Sequence, residues 1–164
     1  MIVADTSALI SIATIDTLDL LLSEFDVHTT DTVLKELEAT GGYADRHGSA
    51  AETVLDHRTR FTVHHIEERG FSSSRVDHGE GSSAVLTNEL DADFFLTDDF
   101  RALPELQTLV EARVAISPLV LSALVQRGVL APEEAKNRLA KLAESRDWLD
   151  APIYRRAQAM FDDL

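Results

Sequence analysis

The chain has 164 residues, 45% of them hydrophobic, and its 29 acidic and 15 basic side chains give a formal net charge of -14. That length suits one domain with a sizeable core, that hydrophobic content argues against disorder, and the lack of cysteine excludes disulfides, thiolate metal sites and cysteine nucleophiles. No apolar run is long enough to span a bilayer, and the first residues show neither a basic region nor a secretory apolar segment, so a soluble cytoplasmic protein is expected.

Ile2-Val3-Ala4 reads as a strand ending at Asp5, and Thr6-Ser7 is a good helix start. Apolar residues at Leu9, Ile10, Ile12 and Ala13, then at Leu18, Leu20, Leu21 and Leu22, predict two short helices broken near Asp16-Thr17. Phe25 to Thr29 reads as a second strand. Thr30 or Asp31 then caps a helix with Val33, Leu34 and Leu37 facing inward, ended by Gly41-Gly42. Ser49 to His57 is predicted as a helix and Phe61 to Ile66 as a strand. Gly70 to Gly79 reads as a loop and Glu80 to Leu90 as a helix. Phe94-Phe95-Leu96 forms an apolar strand that ends at Asp98-Asp99. Leu103 to Ala112 is predicted helical and Val114-Ala115-Ile116 extended. Leu119 to Gly128, Pro132 to Arg146 and Pro152 to Phe161 read as helices. Such alternation predicts an α/β fold, a parallel sheet between helical layers, with no internal repeat and no interdomain linker.

The charge is carried unevenly, with 3 Lys against 12 Arg. An acidic surface poor in Lys is similar to that of proteins from salt-loving organisms; it is also what any acidic protein shows. A net charge of -14 opposes binding to an anionic nucleic-acid backbone. The opposition weakens in strong salt, where the Debye length falls to about 3 Å at 1 M. It weakens too where acids hold a metal.

Ligands of open parallel sheets sit off the carboxyl ends of the strands. Two predicted strands end there in acids, one at Asp5 and one at Asp98-Asp99. Carboxylates crowded together are costly unless protons or a cation neutralise them, and hard divalent ions take oxygen ligands. Asp98 and Asp99 equally suit the first turn of the following helix. Glu80 has capping-box spacing from Asp77, while the flanking Gly79 and Gly81 leave room for a metal or phosphate at that helix start. Glu36 and Glu38 flank the apolar arc of their helix on opposite sides, and periodicity does not choose between them. No Gly-x-Gly-x-x-Gly, P-loop or Gly-x-Ser-x-Gly motif is present. His64 and His65 point to opposite faces of a strand and do not share a site. Trp148, Tyr154 and Phe161 read as packing residues, and Arg155-Arg156 is too short for a basic patch.

Taken together, these residues resemble the PIN domain family. Ile2-Val3-Ala4-Asp5-Thr6-Ser7-Ala8-Leu9-Ile10 is similar to its opening motif, and Val33-Leu34-Lys35-Glu36-Leu37 to its second acidic motif. Gly79-Glu80-Gly81-Ser82-Ser83-Ala84-Val85 resembles the "GE" motif of one prokaryotic branch, and Leu96-Thr97-Asp98-Asp99 the last motif. The resemblance implies a three-layer α/β/α sandwich around a parallel sheet of four or five strands. It implies a single domain over 1–164, with a core over about 1–117 and a C-terminal helical extension over 118–164.

It also implies a Mg²⁺- or Mn²⁺-dependent ribonuclease whose catalytic acids are Asp5, Glu36, Glu80 and Asp99. The metal ligands would be these four with Asp98 beside them, the "T-x-D" form favouring Asp99 and the "DD" form leaving Asp98 open. Thr6, Ser7 and Thr97 would support the site by hydrogen bonding, and Arg101 would meet the RNA substrate. The toxin of a toxin–antitoxin pair, an antitoxin partner and a homodimer follow from the same resemblance, with no membrane involved. Leu119 to Leu142 is apolar enough for packing or for an interface. The alternative reading is a PIN-like module that binds RNA or protein without cutting. A phosphoacceptor of the receiver type fits less well, since it needs paired acids after the first strand and a Lys after the last. Here the pair comes late and no Lys follows the strand ending at Ile116.

Overall fold

The computed structural model describes residues 1–67, 73–149 and 151–162. Its strands are short: β1 (Ile2–Ala4), β2 (Val27–Thr30), β3 (Thr62–His64), β4 (Phe94–Leu96) and β5 (Arg113–Ala115). All pair in parallel, in the order β3-β2-β1-β4-β5. The register sets Ile2 of the central strand between Val27 and Phe94. Helices connect them: α1 (Thr6–Thr14), α2 (Leu18–Glu24), α3 (Asp31–Gly41), α4 (Arg46–Asp56), α5 (His78–Glu89), α6 (Leu103–Leu109), α7 (Ser117–Gln126), α8 (Pro132–Ser145) and α9 (Pro152–Asp162).

Because successive strand residues point to opposite faces, each strand feeds two cores. Ile2, Ala4 and Leu96 join Leu9, Ile12, Leu21 and Leu37 on one side of the sheet. Val3 and Phe95 join Leu86, Leu106 and Val110 on the other. The result is the expected three-layer α/β/α sandwich. The first core also takes in Leu139, Leu142, Trp148 and Phe161, so the C-terminal helices pack onto the same apolar mass as α1. Trp148 is 6% exposed and its ring lies 4.8 Å from that of Phe100. No single helix among the described residues is long and apolar enough to cross a membrane.

Element boundaries moved for identifiable reasons. Phe25 does not begin β2, because its N–H closes the last turn of α2 on the Leu21 carbonyl at 3.0 Å. Helix α4 begins at Arg46, three residues before the predicted Ser49, since the Asp45 carboxylate caps it by accepting from the Gly48 N–H at 2.8 Å. Strand β3 stops at His64, whose partner Thr30 is already the cap of α3. Ile116 leaves β5 to become the cap of α7, whose Pro118 fits a first turn where no N–H is needed. Of the predicted 70–79 loop, 70–72 lies outside the described residues, and α5 begins within it at His78.

Candidate active site

The strand order reverses between β1 and β4. From β1 the chain passes to β2 on one side, and from β4 to β5 on the other. The carboxyl ends of these two neighbours border the crevice where open parallel sheets hold ligands. A cavity of about 390 Å³ lies there, walled by Asp5, Glu36, Glu80 and Asp99 with Thr6, Ser7, Thr40 and Asp77 between them.

Asp5 follows β1 and caps α1. Its Oδ1 accepts from the Ala8 N–H at 2.9 Å and from the Ser7 hydroxyl at 2.8 Å. The other oxygen, Oδ2, is buried and has no hydrogen-bond partner of normal geometry. Burial pushes this carboxyl up to about 7, against the pull of Thr97, Ala8 and Ser7 and with added repulsion from Asp98.

Glu36 lies on α3, two turns from its Thr30 cap. Its Oε2 accepts from the Thr6 hydroxyl. Burial raises its pKa, the Thr6 hydroxyl opposes this, and the Asp77 charge raises it further. A Cβ at Gly79 would stand 2.2 Å from Oε2, so only glycine lets α5 start against this carboxylate. Glu38 faces solvent, which settles the choice that periodicity left open.

Glu80 fills two positions at once. Its N–H donates to Asp77 Oδ1 at 2.8 Å while its Oε2 accepts from the Asp77 N–H at 2.9 Å, the predicted capping box. It also walls the pocket, 4% exposed. Burial pushes its carboxyl up to about 8, and the charges of Asp77, Asp5 and Asp99 add to the effect.

The late aspartates part company. Asp99 Oδ1 accepts from the N–H groups of Arg101 at 2.8 Å and Ala102 at 3.3 Å, and its side chain lines the pocket. Asp98 stands behind the pocket wall instead. Its Oδ1 accepts from the Ser117 N–H at 2.8 Å, at the start of α7 rather than of the following helix α6, so the expectation that both aspartates serve that following helix does not hold for Asp98. Thr97 Oγ1 accepts from the Asp99 N–H at 3.2 Å and lies 3.4 Å from Ser7 Oγ. Arg101 is exposed and lines a separate cavity of about 550 Å³ with Ser74, Arg75, Phe100 and Pro104. Sequence reasoning did not include Thr40 in the site, although it lies one turn beyond Glu36 on the same helix face. Asp77 it read only as a cap.

The donors are all oxygen, which suits Mg²⁺ or Mn²⁺ over softer ions. An unpaired buried carboxylate oxygen and three carboxyls held above their ordinary pKa describe a site short of positive charge. Among the described residues no three or more His, Asp or Glu side chains form a group gathered closely enough to hold a metal ion between them. Ions that keep several waters do not require one. A further cavity of about 230 Å³ beneath α7 is lined by Ile2, Phe25, Phe94 and Leu96 and brings no acid with it.

A family model described as a PIN domain matches residues 1–162. The chain belongs to the PIN domain family. No curated protein matches it. The match spans the stretches that hold the four motifs and runs on through α7, α8 and α9. PIN domains have a nuclease-like fold, generally bind RNA and usually use divalent metals. The all-parallel five-stranded sheet flanked by helices is that fold.

Proposed function

We propose that this PIN domain is an endoribonuclease that hydrolyses RNA phosphodiester bonds with Mg²⁺ or Mn²⁺. The observation that carries the reading is the meeting of Asp5, Glu36, Glu80 and Asp99, from four separate stretches, around one cavity in which Asp5 Oδ2 is left without a partner. These four acids would hold the cation. When bound, a divalent ion there lowers the pKa of water and offsets charge building on the phosphoryl group. Ser7 and the Ala8 N–H fix Asp5 Oδ1, which leaves Oδ2 free to ligate. Thr6 orients Glu36, and the Asp77 N–H holds one oxygen of Glu80. Arg101, with Arg75 in the same neighbouring cavity, offers guanidinium donors to the backbone phosphates of the strand. A cation in the pocket reverses the local field, so an acidic protein can seat an anionic polymer.

The test is incubation of the full chain with single-stranded RNA in Mg²⁺, in Mn²⁺ and in chelator. Cleavage is expected with either metal, absent with chelator, and abolished in Asp5→Asn, which keeps its circular dichroism spectrum. RNA binding without metal-dependent cleavage would assign the alternative, a non-cutting module. The reading extends to a cytoplasmic toxin, working as a homodimer and restrained by an antitoxin. Growth arrest on expression of the unmodified chain, relieved in Asp5→Asn, tests that extension.

A further inference from the structure

At the end of α8 one side chain reaches across to the back of the acidic pocket. Arg146 donates from Nη2 to the Ser7 carbonyl at 2.7 Å and from Nε to the Ser11 hydroxyl at 2.8 Å. Its Nη2 also lies 4.0 Å from Asp98 Oδ2, an oxygen that is buried with no hydrogen bond of its own. The Asp98 side chain is fully buried and that of Arg146 is 22% exposed, so the guanidinium is a cation brought beside a carboxylate withdrawn from solvent.

What Arg146 holds matters more than its charge. Ser7 is a junction: its hydroxyl donates to Asp5 Oδ1 at 2.8 Å and accepts from the Asp98 N–H at 2.8 Å. One serine thus ties the start of α1 to the turn after β4, the two segments that present Asp5 and Asp99. We propose that Arg146 is a positioning residue of the cation site, locking Ser7 and through it the relative placement of Asp5 and Asp99. The C-terminal helices, on this view, complete the site rather than merely decorate the sandwich. The planar guanidinium serves two acceptors and a carboxylate at once, a geometry that a lysine ammonium reproduces only in part.

The proposal rests on the reading of the pocket as a cation site, and the experiment separates the two. Mn²⁺ binding by the full-length chain is followed by electron paramagnetic resonance, without RNA, in the unmodified protein and in Asp5→Asn, Arg146→Gln and Arg146→Lys. Removing a partner that orients metal ligands costs roughly 10-fold or more in metal affinity. Arg146→Gln is therefore expected to bind Mn²⁺ that much more weakly, with Arg146→Lys between it and the unmodified chain. Charge acting through space predicts the opposite, since deleting a nearby cation tightens Mn²⁺ binding. Unchanged or tighter binding in Arg146→Gln, with binding lost in Asp5→Asn, overturns the role of Arg146 alone. Binding that survives Asp5→Asn overturns the cation-site reading and this proposal with it. Faster hydrogen exchange at the Asp98 amide in Arg146→Gln is the accompanying structural readout. Should Arg146→Gln fail to fold, Ser11→Ala removes one anchor of the guanidinium and carries the same comparison: weaker Mn²⁺ binding supports the proposal and unchanged affinity overturns it.

Discussion

Gly79 shows how a residue without a side chain shapes a site. A methyl there would meet the Glu36 carboxylate at 2.2 to 2.6 Å. The atom struck is the far end of a flexible side chain, so Glu36 can swing away while the backbone stays. Alanine is also the better helix former, by about 1 kcal/mol in a helix interior. Gly79→Ala is therefore expected to retain its melting temperature within a few degrees yet lose roughly 10-fold or more in metal-dependent cleavage. Parallel melting curves and RNA cleavage assays check both halves. The same scale shows what a sequence can and cannot display. Asp5 announces itself as an acid directly after a buried strand. Glu36 and Glu38 are indistinguishable on a helical wheel, because the apolar arc fixes which face is buried but not which of its two borders meets another element. Asp98 and Asp99 are adjacent acids in one turn, and only the N–H of Ser117, far along the chain, draws Asp98 away from the pocket.

At the scale of elements, the layer holding Glu36 depends on a close approach of α3 and α4. A Cβ at Gly48 would come within 1.9 Å of the Tyr43 carbonyl oxygen and 3.2 Å of that of Thr40. These are backbone atoms and do not swing aside. Gly48→Ala is expected to destabilise the fold by about 1–3 kcal/mol, as overpacked sites do. Urea unfolding should show a lower midpoint with an unchanged slope. A cleavage rate that stays near normal at low temperature would separate this effect from that of Gly79→Ala. Helices with clear caps were legible in the residues: Thr30 accepts from the Val33 N–H at 3.2 Å, and Asp77 opens α5 as its spacing predicts. The strands were harder to bound, because most are three residues long and end wherever a neighbour's carboxyl end becomes a helix cap.

Across the whole molecule, protons and metal compete for one set of acids. Asp5 keeps its proton to about 7 in the fold and Glu80 to about 8, against 3.8 and 4.5 when free. Between those limits the folded chain binds protons that the unfolded chain has released, so metal-free stability falls as pH rises from about 4 to about 8. A divalent cation takes the place of those protons, and its effect requires ionised carboxylates. Mg²⁺ is thus expected to raise the melting temperature more at about pH 8 than at about pH 5. Calorimetry across that range, with and without Mg²⁺, checks the sign. Asp5→Asn should flatten the metal-free slope, because the amide has no proton to lose.

The residues by themselves determined the alternation of strands and helices, the parallel sheet, the family and four acidic stretches in order. The family rests on the resemblance of four motifs; the rest follows from local physics: periodicity, caps, and acids directly after apolar runs. Folding alone decided which acids meet. The reversal of strand order between β1 and β4 sets Asp5 beside Asp99, and the packing of α3 against α5 turns Glu36, rather than Glu38, toward Glu80. Arg146 lay beyond any such reading, since 139 positions separate it from Ser7 and no spacing rule links a helix end to a strand end across the molecule. Local patterns fix which face of an element is buried; which neighbour covers that face depends on the chain's path as a whole.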